Sequence, residues 1–199
     1  MGFFPFNKAR ARTAQTDVKG IETSLYSVVK YSAGSPGAAD DDYYVASANM
    51  KVGAYTLAHT APVGGGARNV TVTHTAVDAA DTLGTITVTG TDLSGAVITE
   101  TITPTSGGVK QGTKAFATIT SIVGAGWVIG GGNDTIKIGF GDLIGLPDKL
   151  IGDTVLFCTL AGVREAAAAV TFSSTVLSAN TVDLTSALNA GAVTIYYIV

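Results

Sequence analysis

Thr85-Ile86-Thr87-Val88-Thr89, then Gly90-Thr91-Asp92-Leu93-Ser94-Gly95, then Ala96-Val97-Ile98-Thr99-Glu100-Thr101-Ile102-Thr103, is the stretch that decides the fold class. Its first run alternates apolar residues with threonine. A period of two puts successive side chains on opposite faces of an extended chain, one face buried and one wetted. Threonine suits the wetted face because its branched β-carbon favours extended backbone. A short Gly/Asp/Ser segment between two such runs reads as the turn of an antiparallel hairpin. In the second run Ile98, Glu100 and Ile102 share a face, which puts Glu100 near a rim or in a pair and gives it no catalytic reading.

The same pattern spreads outward. Asn69-Val70-Thr71-Val72-Thr73-His74-Thr75 places Val70, Val72 and His74 on one face. Further strands are predicted at Met50–Thr60, Lys114–Val123, Asp134–Phe140 and Thr154–Val163, and a last one at Ala192–Val199. That last strand is apolar on both faces, Val193/Ile195/Tyr197/Val199 and Thr194/Tyr196/Ile198. Such a strand is central in a sheet or covered by another chain. Residues Ser24–Tyr31 favour a strand by residue type, Ser32–Asp42 reads as a loop, and four alanines suggest a short helix over Arg164–Val170. Short strands spaced by turn residues predict an all-β protein, an antiparallel β-sandwich or barrel of Ig-like or jelly-roll-like form. An extended N-terminal arm precedes it. The expected organisation is an arm and first strand over 1–30, a main β-sandwich over 31–150, and a C-terminal β segment over 151–199. That last segment either completes the sandwich or forms a small second unit.

Composition narrows the function classes. Charged residues are 14% of the chain, against about 25% in an ordinary soluble domain. Sheets usually guard their edges with charge, lysine above all, so a lysine-poor β protein is expected to close its edges or cover them with neighbours. The charge is also uneven. Residues 1–30 hold Lys8, Arg10, Arg12, Lys19 and Lys30 against Asp17 and Glu22, a balance of +3, which leaves −6 of the net −3 on the remainder. A basic arm on an acidic body suggests an arm that lies on an acidic surface. Phe3, Phe4 and Phe6 flank Pro5 at its start and are expected to be covered, by this chain's own body or by a neighbouring subunit. Phe3, Phe4, Phe6, Arg10 and Arg12 are the residues read as intersubunit contacts. The order of residues at the N-terminus is wrong for a secretory signal, and no apolar run approaches the ~20 residues of a membrane span.

The search for chemistry returns no catalytic, cofactor or metal residues. His59 and His74 have no Cys/His/Asp cluster at zinc-ligand spacing, and neither a Gly-x-Ser-x-Gly elbow nor a His-Glu-x-x-His motif occurs. Gly64-Gly65-Gly66-Ala67-Arg68 is not followed by Lys-Ser/Thr and a helix, so it reads as a loop and not a phosphate cradle. Asp40-Asp41-Asp42 offers hard oxygen ligands but lacks the EF-hand spacing with its glycine and closing glutamate, and reads as a solvated acidic loop. Asp142, Asp148 and Asp153 read as turn residues, and Cys158, in Val155-Leu156-Phe157-Cys158, as a buried small hydrophobe. The acidic body repels a phosphate backbone, so nucleic acid is not expected as its partner; arm contact with nucleic acid is the alternative left open.

The stretch from Asn69 to about Leu150 resembles bacteriophage head-decoration and minor-capsid proteins. The threonine-alternating strands, the Gly-Thr-Asp-Leu-Ser-Gly hairpin and Gly139-Phe140-Gly141-Asp142-Leu143-Ile144-Gly145-Leu146-Pro147 carry the likeness. The tail, Asn180-Thr181-Val182-Asp183-Leu184 through Ile195-Tyr196-Tyr197-Ile198-Val199, is similar. The resemblance implies a non-enzymatic capsid decoration or cement protein without cofactors. It would be made in the host cytoplasm and located on the virion surface. It would bind the major capsid protein as a homo-oligomer, a trimer in the commonest arrangement, with no membrane contact. Two other expectations stand beside it. One is a tail, connector or fibre-base component. The other is a carbohydrate- or host-surface-binding β module using Trp127, Tyr43 and Tyr44.

Overall fold

A computed structural model describes residues 13–15, 22–24, 27–78, 80–128, 130 and 132–199. The protein is all-β, with antiparallel sheets packed face to face and no α-helix among the described residues. No helix there is long and apolar enough to cross a membrane. The strands are β1 (Thr13–Gln15), β2 (Glu22–Ser24), β3 (Val28–Gly34), β4 (Asp40–Asn49), β5 (Arg68–Thr75), β6 (Thr85–Thr91), β7 (Val97–Ile102) and β8 (Val109–Phe116). They continue as β9 (Thr118–Ala125), β10 (Thr135–Gly145), β11 (Val155–Leu160), β12 (Val163–Arg164), β13 (Ala168–Thr171), β14 (Thr181–Leu184) and β15 (Val193–Ile198).

The predicted hairpin is β6–β7, in register from Ile86↔Ile102 to Thr91↔Val97. Asp92 ties its turn: Oδ1 accepts the N–H groups of Ser94 (2.9 Å) and Ala96 (3.1 Å) and the Ser94 hydroxyl (2.6 Å). With β9 on the other side of β6, this three-stranded sheet faces β4, β10, β5 and β8. Between them lies the first core, where Ile86, Val88, Ile102, Ile119 and Ile122 meet Val70, Val72, Ile136, Ile138 and Phe140. Each such fully buried side chain contributes roughly 1.5–3 kcal/mol. At one mouth of the sandwich Glu100 on β7 accepts the Thr113 N–H (2.7 Å) and hydroxyl (2.9 Å) and the Lys114 N–H (3.3 Å), joining the edges of the two sheets.

A second core lies beyond it. The sheet β12-β11-β15-β3 covers β13, β14 and the end of β10, burying Cys158, Leu160, Val182, Leu188, Val193, Ile195 and Tyr197 with Ile144, Leu146 and Leu150. β3, from the N-terminal side, pairs with β15, the last strand, so this core draws on distant parts of the chain. The long β10 belongs to both. Its first half pairs with β4 and its end with β14, while β5 runs along its other edge.

Several sequence expectations are corrected. Met50–Thr60 is not a strand. It crosses from sheet to sheet, bonding to β10's side through Met50 N–H to Asp134 O (3.1 Å) and to β9 through Tyr55 N–H to Ile122 O (3.0 Å). Met50 and Tyr55 thereby plug the first core. Lys114–Val123 is the end of β8 and most of β9, because the chain changes sheet at Ala117. The Ser32–Asp42 loop shrinks to 35–39, since Asp40 opens β4 opposite Phe140. The proposed helix over Arg164–Val170 is absent. Ala168–Thr171 pairs with Leu184–Thr181 instead, because two helical turns without an apolar stripe to bury do not repay helix nucleation. The Gly64-Gly65-Gly66 loop has positive φ throughout, and a Cβ at Gly64 would stand 2.0 Å from the Ser35 carbonyl oxygen.

β4 pairs with β10 through an irregular register, and it comes so close that a Cβ on Gly139 would lie 1.7 Å from the Asp40 carbonyl oxygen. Gly139→Ala is therefore expected to cost about 3 kcal/mol, the upper end for overpacking, because the obstacle is backbone. Gly152→Ala meets nothing within 4 Å and is expected to stay within about 0.5 kcal/mol of wild type. Urea denaturation of the two variants checks both values, and equal stability would refute the close approach of β4 to Gly139.

Candidate functional site

Polar side chains inside the protein are the first candidates for chemistry. His74 Nε2 lies 2.9 Å from Asp134 Oδ2, and both side chains are almost wholly buried. A base held by a carboxylate is part of many nucleophile-activating sites. Here the other ring nitrogen is already used, because Nδ1 accepts the Gly107 N–H at 3.0 Å. That bond assigns the proton to Nε2, which donates it to Asp134. Asp134 Oδ1 in turn accepts the N–H groups of Val77 (2.6 Å) and Asp78 (3.0 Å). Burial works to raise the Asp134 carboxyl, and the two backbone N–H groups with His74 outweigh it, holding it below the ordinary carboxylate range. The pair fastens two turns to the end of β5 and leaves no face for a substrate.

The other candidates have similar duties. Asp148 Oδ2 accepts the Tyr197 hydroxyl at 2.7 Å, and burial together with Asp148 raises that phenol well above its usual range. Asp153 accepts the Val155 N–H at 3.3 Å, and Asp142 stands 3.5 Å from Arg68. The three carboxylates thus go to three different contacts. Burial, then Glu165 and Asp153, pushes the Cys158 thiol up to about 11, which disfavours the reactive thiolate. Asn180, to which the sequence assigns no role, is fully buried. It accepts from Leu150 and Ser173 N–H and donates to the carbonyls of Ser173, Val176 and Leu177, knitting the 173–177 turn to the second core.

Among the described residues a sheet face is open to a partner. β15 is central in its sheet, between β11 and β3. Its inward residues Val193, Ile195 and Tyr197 are buried, while Tyr196 and Ile198 stand half-buried on the outer face. Tyr196 pairs with Lys30 and Phe157, and Ile198 with Val28, which is 65% exposed. The Phe157 and Tyr196 rings stack at 4.4 Å. Arg164 lies 5.0 Å from the Phe157 ring and Lys30 6.0 Å from the Tyr196 ring, so a cation stands at each end of the aromatic pair. The two-faced apolar pattern of Ala192–Val199 pointed to Tyr196 and Ile198. Phe157 and Arg164 join them only through strand pairing.

Tyr44 is fully buried, Tyr43 is half-buried and stacks on His59 at 4.2 Å, and Trp127 packs at the rim of the first core. These three do not form one exposed aromatic face. The arm residues Phe3, Phe4, Phe6, Arg10 and Arg12 lie outside the described residues. No protein-family model matches the chain, and neither a curated protein nor a solved structure matches it.

Because the folded Asp134 pKa lies below the unfolded one, its carboxylate contributes fully above the unfolded value of about 3.9 and ceases to contribute as pH falls through the folded value. Asp134→Asn is expected to cost about 1–3 kcal/mol at neutral pH, and wild type and variant should converge below about pH 4. Paired denaturation curves across that range check it; a constant gap would remove the depressed carboxylate from the account.

Proposed function

We propose that this chain is a non-enzymatic structural protein of a tailed-bacteriophage virion, bound to the capsid shell, which it stabilises as a decoration or cement protein. The observation that carries the reading is the outer face of the four-stranded sheet. Val28, Tyr196, Ile198 and Phe157 make an aliphatic and aromatic surface on a rigid sheet, with Lys30 and Arg164 at its sides. Contiguous apolar surface of this kind marks protein contact, and an aromatic centre with arginine nearby is the usual composition of an interface. The virion as its setting comes from the sequence resemblance. The occupant of the face is the major capsid protein, with further copies of this chain completing a homo-oligomer.

The arm supplies the second contact. Its basic residues and three phenylalanines precede β3, the edge strand that carries Val28 and Lys30. Covering that edge with a neighbour would pair the backbone groups that an edge strand leaves open.

Tyr196→Asp is expected to keep the β-sheet circular dichroism of wild type and to be lost from purified virions, and deletion of residues 2–15 should do the same. Quantitative mass spectrometry of wild-type particles should find this chain near the copy number of the major capsid protein, or a simple large fraction of it. A dozen or fewer copies, roughly the scale of a closed symmetric ring, would move the protein to the neck or tail. Normal incorporation of both variants, or absence of the chain from virions, would overturn the reading.

A further inference from the structure

The second core is open along one side. In its four-stranded sheet β12 pairs only with Thr159 and Leu160 of β11. Glu165 N–H donates to Cys158 O at 2.9 Å, and beyond it residues 155–157 have no strand on that side among the described residues. In the facing sheet β13 pairs, among the described residues, with β14 alone. A slot of about 190 Å³ lies between the two open edges. Residues 155–158 form one wall, and Ala166, Ala167, Ala168 and Val170 the other. Val155, Ala168 and Val170 pack on the second core, while Leu156, at a break in the β11–β15 register, is 47% exposed. An extended segment added at an open edge gains main-chain hydrogen bonds, and a slot beside it takes alternate side chains.

Charge selects the segment. Asp153 and Glu165 stand at the slot, each giving one oxygen to a backbone N–H, of Val155 (3.3 Å) and Ser186 (2.9 Å). Neither is ion-paired among the described residues, and Arg164 lies instead against the Phe157 ring. After burial, these two carboxylates are what raises the Cys158 thiol, so their charges converge on the slot that Cys158 lines. Residues 1–12 match it: Phe3, Phe4 and Phe6 are followed by Lys8, Arg10 and Arg12, with no acidic residue among them. Position selects the copy. β3, which those residues precede, and the open edge of β11 are on opposite sides of β15. To reach the slot, a chain's own arm would double back over Tyr196 and Ile198, the face proposed for the capsid protein. A neighbour set edge to edge brings its arm directly alongside.

We propose that this slot receives the N-terminal segment of a second copy of this chain, residues 3–12 lying as an added strand along the open edge of β11, with its phenylalanines over Leu156 and its basic residues facing Asp153 and Glu165. The inference rests on the reading of that segment as an intersubunit contact and names the surface it contacts. Fully extended, the ten residues span at most about 36 Å, more than the length of the slot's open edge needs. Each copy gives its arm beside β3 and receives one beside β11. Such a contact is head-to-tail, and it closes into a ring when the rotation between copies closes.

The test uses the full-length chain. Phe4→Cys protein mixed with Ala166→Cys protein is expected to form a covalent dimer of the two under mild oxidation. Phe4→Cys mixed with Thr99→Cys, on β7 of the other core, is expected to form none. Light scattering should find wild type as an oligomer. Leu156→Asp, at an exposed position, should keep the circular dichroism of wild type and weaken association by about tenfold or more. Glu165→Gln should weaken it less, and added salt should remove that difference. No cross-link on mixing, a cross-link formed only within single Phe4→Cys/Ala166→Cys chains, or unaltered association of Leu156→Asp would overturn the exchange. Virion incorporation is scored separately. Incorporation without the cross-link would overturn the exchange alone, and the cross-link in a chain absent from virions would overturn the shell reading alone.

Discussion

The guanidinium of Arg68 occupies the place where β10 passes from one core to the other. Between Phe140 and Ile144 β10 advances four residues while β5 advances two, from Val70 to Arg68, and the surplus bulges out of the ladder. Bulges re-aim a strand and leave backbone groups without ladder partners. Arg68 supplies those partners. Nε and one terminal nitrogen donate to the Gly141 carbonyl, the other terminal nitrogen donates to Gly37 at 3.0 Å, and the guanidinium lies 4.9 Å from the Phe140 ring. Asn69, beside it, accepts from the Leu143 N–H and donates to Gln111 and Gly112 on β8. A buried cation is expensive unless its hydrogen bonds are made. Burial pushes Arg68 down to about 10, with Asp142 opposing the shift, and it stays protonated at neutral pH. A lysine has no planar fork with which to serve several carbonyls at once.

The rest of the interior follows the same economy. His74 with Asp134, Asp92 in its turn and Asn180 in the second core each satisfy backbone groups that the strand ladders leave over. A β-sandwich with few charges and many changes of direction has many such groups, and an unmade hydrogen bond inside costs more than a made one returns. Histidine, aspartate and asparagine are placed here as framework. The aromatic outer face of the β15 sheet stands apart from this framework.

Much of the strand pattern was legible. The β6–β7 hairpin, β5 and β15 announce themselves because alternation has the period of the structure itself. Lys114–Val123 misled because two buried residues in succession, Ala115 and Phe116, precede a corner, and a corner has no period. Met50–Thr60 misled because its apolar residues plug a mouth and pair hardly at all. The four alanines of the 164–170 segment favour helix locally, but the ladder with β14 offers bonds that a short helix cannot match. For the candidate surface, Tyr196 and Ile198 were visible as the second apolar face of a strand, whereas Phe157, Arg164 and Lys30 reach it from strands far apart in the chain.

Composition and alternation were enough to specify an all-β chain, a sandwich with antiparallel hairpins, a lysine-poor surface and a polarised distribution of charge. These depend on local backbone preference and on which side of a strand each residue faces, and both are written in adjacent residues. The division into two cores, the sharing of β10 between them and the burial of Arg68 came from folding alone. Each depends on contacts between segments whose separation along the chain leaves no periodic trace, and on a bulge whose energy is settled by the arginine that fills it.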